Sequence, residues 1–534
     1  MGRKVNLPKN YKIGTRGSLL ALTQCTQIKN QLEKLTGDKF ELEVIKTEGD
    51  ENTSLPLWQL DGKDFFTKEL DQALLLKNVD LVVHSYKDLG SERPEGIQLA
   101  AVTKRSYPED ILLFKKSFFD NIQTKETIEV GTSSPRRMTN ITSSLTDFLP
   151  GERKVTTKNL RGNVNTRIQK LLDGDFDMIC LALAGIERLA QSEESFRILK
   201  ELLKDLSFMI LPPSIFPSAA SQGALGIECL SNRDDDGELL QKLKSVHDQE
   251  TFSEVKRERE AFVSYGGGCH LAVGVHVKKW QNIFIHTHKG IVDEKEINIK
   301  EIEYEDGEHS STANINELLK SFNKDQIFIG TTPNQIKHQY LCDHIISKNS
   351  LKITEDPLKS PTILYATSSH CIDTLKDIKT HSNHIQAVVA AGASTMRKLN
   401  KKNILTNFCA DSHGDQEITR FMNSKAIQLL LGTDQNYKIN VLTHAEGNSS
   451  LGNIIPCYDR EINSENHKIY SDKISTAKVF YWTSYFQYQL YIENFPLIKD
   501  QVHFCGLGKT YKEFSKREIQ VTPIELSIFI KKLN

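Results

Sequence analysis

Residues 127–137 read TIEVGTSSPRR. A short apolar, β-branched run passes into Gly131, then small hydroxyl donors at Thr132, Ser133 and Ser134, then Pro135 and two guanidiniums, Arg136 and Arg137. That is a buried strand running into a polar turn. The same order recurs in ELEVIKTEGD (41–50), DLVVHSYKD (80–88) and DMICLALAGIERL (177–189). Helical patterns lie between these runs, as in SLLALTQCTQIKNQLEKL (18–35) and VNTRIQKLLDGD (164–175). Alternation of strand and helix predicts α/β layers with largely parallel sheets.

In open α/β sheets, ligands bind beyond the carboxyl ends of the strands, where helix N-termini offer free N–H groups to anions. The first half concentrates chemistry at these points. YKI is followed by Gly14-Thr15-Arg16-Gly17-Ser18, and DLVV by His84-Ser85-Tyr86-Lys87-Asp88. Arg161-Gly162-Asn163 and Arg167 follow the strand-like VTTKNL. Arginine is the natural bidentate partner of a carboxylate. Any one of these residues alone reads as a helix cap or a solvated loop charge. Their recurrence predicts a cleft for a small molecule with several carboxylates or phosphates. Gly508-Lys509-Thr510 resembles the end of a phosphate loop, but the required first glycine falls at His503, so that reading fails.

The bulk properties bound the rest. A chain of 534 residues is too long for one core and implies roughly three to five domains. Net charge is −1, so no global field favours nucleic acid or an acidic membrane surface. No run has the apolar length of a membrane span, and the basic opening MGRKVNLPKNYKIGTR has no apolar stretch behind it. Nine cysteines are scattered without a CxxC pair, which gives no support to a metal site and predicts mostly buried thiols in a reducing cytoplasm. ILPPSIFPSA (210–219) is the proline-rich crossing expected between lobes. A polar segment at about 298–323 precedes a fresh strand, QIFIGTTPNQ (326–335), and marks a domain boundary.

Taken in order, six segments resemble the hydroxymethylbilane synthase (porphobilinogen deaminase) family. They are IGTRGSLLAL (13–22), DGKDFFTKELDQALL with VDLVVHSYKDL (61–89), GTSSPRR (131–137), NLRGNVNTR (159–167), SQGALGIE (221–228) and GGGCHLAVG (266–274). The resemblance implies two periplasmic-binding-protein-like lobes and a small α/β domain carrying the cofactor cysteine. Lobe 1 would take residues 1–108 and 212–232, lobe 2 residues 109–211, and the cysteine domain 233–323. It implies a covalent dipyrromethane on Cys269, on which four porphobilinogens are joined with loss of ammonia into a linear tetrapyrrole. From chemistry alone Cys269 is as consistent with an inert buried thiol as with a reactive one. Asp88 matches the catalytic aspartate, whose carboxylate would stabilise cationic charge at the pyrrole and manage protons. Arg16, Ser18, Lys63, Lys87, Ser133, Arg136, Arg137, Arg161 and Arg167 match positions that hold acetate and propionate groups. Arg188 matches a further arginine of the family, and Ser85 belongs to the cofactor set. The chain departs from the family at Asp61 and Asp64, where glycines are usual, at Leu89-Gly90, at Pro135 and at His270-Leu271-Ala272.

The second half repeats a weaker α/β pattern. TILYATSSHCIDTL (362–375) and KVFYWTSYFQYQL (478–490) pair as strand, Thr-Ser, helix. AVVAAGASTMRKL (387–399) and VHFCGLGKTYKEF (502–514) pair as strand, glycine, helix. Two similar lobes are expected over 326–534, and the pattern resembles uroporphyrinogen-III synthase, which closes the linear tetrapyrrole with inversion of its last ring and no cofactor. Tyr458, Thr483, Ser484 and Thr510 are the candidate ligand-facing residues there. The usual Leu-Arg-Gly appears as Leu430-Leu431-Gly432, without its arginine. A non-catalytic interaction domain is the alternative. A monomer acting on porphobilinogen and linear tetrapyrrole, with no nucleic-acid or membrane partner, is expected.

Overall fold

The computed structural model describes residues 8–47, 67–268, 270–305, 317–331, 340–353, 355–432 and 437–533. The chain forms two compact units: Met1–Trp280 with His286–Ile299 and Asn423–Asp434, and Gln281–Ile285 with Lys300–Met422 and Gln435–Asn534. The architecture is mixed α/β throughout.

The first unit holds two five-stranded sheets of one topology. In the first, the strands Lys39–Val44, Asn10–Thr15 and Leu81–Ser85 run parallel, then Leu225–Leu230 and Ile97–Val102 join in antiparallel steps. In the second, Lys154–Lys158, Thr127–Gly131 and Met178–Ala182 run parallel, and Asp110–Lys115 and Leu206–Leu211 join again in antiparallel steps. The fourth strand of each sheet is reached by a crossing, 103–109 into the second sheet and 212–224 back into the first. Ligand-facing strand ends therefore come from two sheets, while the crossings join them.

The strands form where the sequence supplies near-continuous apolar runs, as buried parallel strands require. Leu81 and Val82 are fully buried, as are Met178, Ile179 and Cys180. Burying each large apolar side chain contributes about 1.5–3 kcal/mol. The helices begin at short polar caps. Ser18 accepts from Ala21 N at the start of Leu19–Thr36, Ser134 from Arg137 N at Pro135–Ser144, and Asn163 from Thr166 N at Val164–Asp173. Pro135, a departure from the family, sits in the first turn of its helix, where its missing N–H costs nothing.

A buried ion pair ties the two crossings to the helix Gln249–Ser264. Arg105 donates to both carboxylate oxygens of Glu258, at 2.8 and 3.0 Å, and to Gln222 O at 2.9 Å. Glu258, on that helix, also accepts from Ser221 N and Val277 N. Burial alone would raise its carboxyl, but Arg105 and His276 outweigh it and hold the group down at about 2. The helix leads into a three-stranded sheet in the order Ala272–Trp280, Ile283–Val292, Lys295–Tyr304.

The second unit has a five-stranded and a six-stranded sheet. Thr362–Ala366 pairs in parallel with Ile385–Ala390 on one side and Lys438–His444 on the other. Val479–Trp482 pairs in the same way with Val502–Cys505 and Ile327–Ile329. The serines of the Thr-Ser pairs that end these two central strands take one conformation: Ser368 has φ −153°, ψ 157° and Ser484 φ −153°, ψ 153°, and each caps the turn after it. An aromatic core of Phe328, Phe480, Trp482 and Tyr491 lies beneath the five-stranded sheet. The division between units differs from the boundary read near residue 323. Lys300 already belongs to the second unit, where it bonds Glu525 at 2.8 Å, and Ile302 packs with Leu319, Ile327 and Phe529.

Candidate active site

The strand ends of the first unit bring most of the candidate residues together. Asp110, at the start of its strand, is buried and accepts from Arg136 Nη1 and Arg137 Nη2, each at 2.7 Å. Arg136 also donates to Pro217 O and Arg137 to Cys180 O. Gln222 donates to Asp110 Oδ1 at 2.9 Å and accepts from Lys87 Nζ at 3.3 Å. A continuous chain of bonds thus runs from Lys87 through Gln222 and Asp110 to both arginines. Burial would raise the Asp110 carboxyl, but the two guanidiniums hold it well below the usual carboxylate range.

Arg136 and Arg137 therefore do not project freely into a cleft, as residues meant only for a ligand would. They are buried against a carboxylate of the protein. Each still has a buried Nε without a partner among the described residues. Ser133 spends its hydroxyl on Leu160, donating to the carbonyl at 2.7 Å and accepting from the amide at 3.0 Å. It fixes the loop that carries Arg161. Ser18 caps its helix, and Ser85 accepts from Gln24 Nε2 at 3.1 Å. Arg16 is half-buried at the end of its strand.

Three further cations are unfavourably placed. Burial, opposed by Asp88, pushes Lys87 down to about 8, and the neighbouring Arg137 and Arg136 add to the fall. Burial, then Arg137 and Arg161, lowers Arg167 to about 10. Arg167 donates Nε to Gly162 O at 2.7 Å. Burial also lowers Arg188 to about 10, against the pull of Asp88, and its guanidinium donates to Gly223 O at 2.7 Å. Gly223 has φ +93°, and a Cβ there would lie 3.1 Å from the Ser106 and Tyr107 carbonyls, so only glycine keeps this carbonyl in place. Asp88 is exposed, within electrostatic reach of Lys87, Arg137 and Arg188. Arginines and Lys87 outnumber Asp88 and Asp110, so the region favours a polyanion. The side chains present fit a group bearing several carboxylates.

Lys63 and Cys269 lie outside the described residues, as do Asp61 and Asp64. The loop leading to position 269 is described: Gly266, Gly267 and Gly268 have φ of +104°, +61° and +99°, a run that only glycine adopts without strain. The eight described cysteines are all buried. One group with metal-type ligands exists among the described residues, Asp71, His84 and Glu228, with ligand atoms within 4.8 Å of one another. Its two carboxylates are bonded by Arg93, which donates to both oxygens of Glu228 at 2.8 Å and to Asp71, so a cation of the protein already lies between them.

In the second unit, Thr483 donates its hydroxyl to Gly330 O at 2.8 Å, and Thr510 donates to Thr483 O at 3.3 Å. Ser484 caps the helix Tyr485–Asn494. These three hydroxyls bind their own backbone. Tyr458 is buried, with its ring 5.3 Å from that of His370 and 6.2 Å from that of His444.

Asp110, Gln222, Arg105 and Glu258 were not singled out from sequence. Gln222 lies within SQGALGIE, but nothing local marks the other three.

Residues 11–238 match the family model "Porphobilinogen deaminase, dipyromethane cofactor binding domain". The chain is 38% identical over 268 residues to a porphobilinogen deaminase of Syntrophobacter fumaroxidans, an alignment spanning 50% of this chain and 79% of the relative. It is 35% identical over 311 residues to one of Helicobacter acinonychis, spanning 58% of this chain and 94% of the relative. The crystal structure of a uroporphyrinogen-III synthetase from Helicobacter pylori aligns with 39% of this chain and 97% of its own, at 12% identity and a TM-score of 0.28. The chain belongs to the porphobilinogen deaminase family, and it contains that family's dipyrromethane-binding domain. Among the described residues, no helix is long and apolar enough to cross a membrane.

Proposed function

We propose that this chain is a bifunctional enzyme of haem biosynthesis. The first unit condenses four porphobilinogens to hydroxymethylbilane with loss of ammonia, as a transferase. The second closes that product to uroporphyrinogen III. The observation that carries the first reading is the convergence of Lys87, Arg137 and Arg188 around Asp88, with Arg136 beside Lys87 and Arg167 beside Arg137, in a member of this family.

Each group has a distinct task. Arg167, Arg161, Arg188 and Arg16 face the acetate and propionate groups. Asp110 holds the guanidiniums of Arg136 and Arg137 in place behind that set, where they add positive charge. Asp88 is the exposed negative charge in a cationic surround, able to offset positive charge that develops at a reacting pyrrole and to hand on protons. Cys269 is the proposed attachment point, reached through the Gly266–Gly268 run. When bound, the dipyrromethane supplies the primer to which rings are added.

The second reading is favoured by the two Thr-Ser strand ends of the second unit, whose serines share one backbone conformation and each cap the turn that follows. A synthase there would intercept an unstable linear product before it closes by itself to the wrong isomer. Purified full-length chain, supplied with porphobilinogen alone, tests both readings. Type III uroporphyrinogen is the expected product after oxidation and chromatography. Type I alone leaves the deaminase with an interaction domain, and no consumption of porphobilinogen contradicts the first reading.

A further inference from the structure

The strands Ile346–Ser350 and Asn453–Ile462 of the second unit run antiparallel, in a register that sets Lys348 opposite Arg460 and Ser350 opposite Tyr458. Like charges directly opposite each other weaken a ladder. The nearest polar partners of both cations are imidazoles. Lys348 Nζ lies 3.4 Å from His370 Nε2, and Arg460 Nη2 lies 2.7 Å from His444 Nδ1 and 2.5 Å from its Nε2. Arg460 Nε is buried without a partner among the described residues.

Opposing charge is weak here. Glu446 acts on Arg460 and His444 but is exposed. Asp343 acts on Lys348, yet its carboxylate is committed to Tyr491 Oη at 2.7 Å, to Gln487 and to the Ile345 amide. Further positive charge comes from Lys398, which acts on His370, and from Lys509, which acts on His444. Burial, then Lys348 and Lys398, pushes His370 down to about 4. Burial, then Arg460, does the same to His444, also to about 4. The imidazoles are thus neutral near pH 7 and accept from the cations.

Aromatic surface lines the same place. The Arg460 guanidinium lies over the Phe486 ring, 3.6 Å from its centroid, and the Tyr458 ring stands beside both histidines. A guanidinium stacked on a ring keeps its edge donors free for a planar acceptor.

We propose that Lys348, Arg460, His370 and His444 form a subsite for two neighbouring carboxylates borne on one flat ring. The identity of its natural ligand rests on the second reading above. The cross-strand cations take one carboxylate each, the imidazoles turn to donate or release their cation, and Phe486 and Tyr458 pack against the ring.

The full chain, labelled with 13C at histidine Cε1, tests the subsite with benzene-1,2-dicarboxylate as the probe. His370→Gln and His444→Gln assign the two resonances. Both resonances are expected to shift saturably, while an equal concentration of inorganic phosphate shifts them far less. Arg460→Gln and Lys348→Gln should each weaken the probe about tenfold or more, as loss of one charge-assisted hydrogen bond implies. Arg460→Lys should weaken it less than Arg460→Gln. The wild-type titration needs no variant to fold. If neither resonance moves, or if phosphate moves them equally, the subsite is refuted. The product isomers of the wild-type chain decide the synthase reading independently. Saturable shifts with only type I product sink the synthase and leave the subsite. Type III product with unmoved histidines does the reverse.

Discussion

At the residue scale, Asp110 decides how the site is built. Its carboxylate bonds two adjacent buried guanidiniums, so its removal strands both cations. Asp110→Asn should destabilise the chain by about 3–5 kcal/mol, the usual cost of breaking a buried pair, read by denaturant unfolding. Asp88 predicts the opposite pattern, because it is exposed. Asp88→Asn should leave unfolding unchanged and lower kcat by about 10²–10³-fold. Lys87 sets a pH dependence. It is pushed down to about 8 from 10.5, so its charge, and with it carboxylate binding, is lost as pH rises through that value. In the free enzyme, kcat/KM should fall above pH 8, and Lys87→Arg should move that limb upward. The arginines, Lys87 and Asp88 were legible because each comes after a strand end in a recognisable segment. Asp110 was not, since its partners lie 26 and 27 residues away and meet it only through the strand order of the second sheet.

At the scale of elements, strand and helix positions were readable from apolar runs ending in polar turns. TIEV, DLVV and DMICLA are strands where the sequence places them. The pairing of the sheets was less legible, because each fourth strand arrives by a crossing and no local pattern records its neighbours. Glu258 holds both crossings through Arg105 and Ser221, and the strand Ala272–Trp280 through Val277. Its folded value of about 2 lies below the unfolded 4.5, so its contribution is fully present above pH 4.5 and lost as pH falls towards 2. Glu258→Gln should lower stability at neutral pH and flatten the acid limb over that window, as tracked by circular dichroism. An unchanged acid limb would show that the ion pair does not hold the crossings. Thr483, Ser484 and Thr510 illustrate the limit of reading hydroxyls from sequence. A cap and a ligand contact use the same residue types at the same strand ends.

At the scale of the whole molecule, the two halves of the sequence are not simply the two units. Residues 423–434 belong to the first unit, although they lie within the stretch read as the second module. There Ser424 donates its hydroxyl to Glu187 at 2.6 Å, the Ala426 amide donates to the same oxygen, and Ala426 and Ile427 are fully buried. Glu187 precedes Arg188, whose guanidinium lines the site. A chain ending at residue 323 keeps the catalytic segments but lacks this cover, so it should still consume porphobilinogen while its thermal midpoint falls below that of the first transition of the full chain. The sequence boundary near 323 rested on a polar segment, whereas burial of Ser424 and Ile427 depends on side chains more than 200 positions away. Priming of the deaminase through Cys269 is read from the intact mass of the purified chain. Expressed in cells that make porphobilinogen, the wild-type chain should carry the added mass of two condensed pyrroles, absent from Cys269→Ser. An unmodified wild-type chain, or the same adduct on Cys269→Ser, would refute attachment at Cys269.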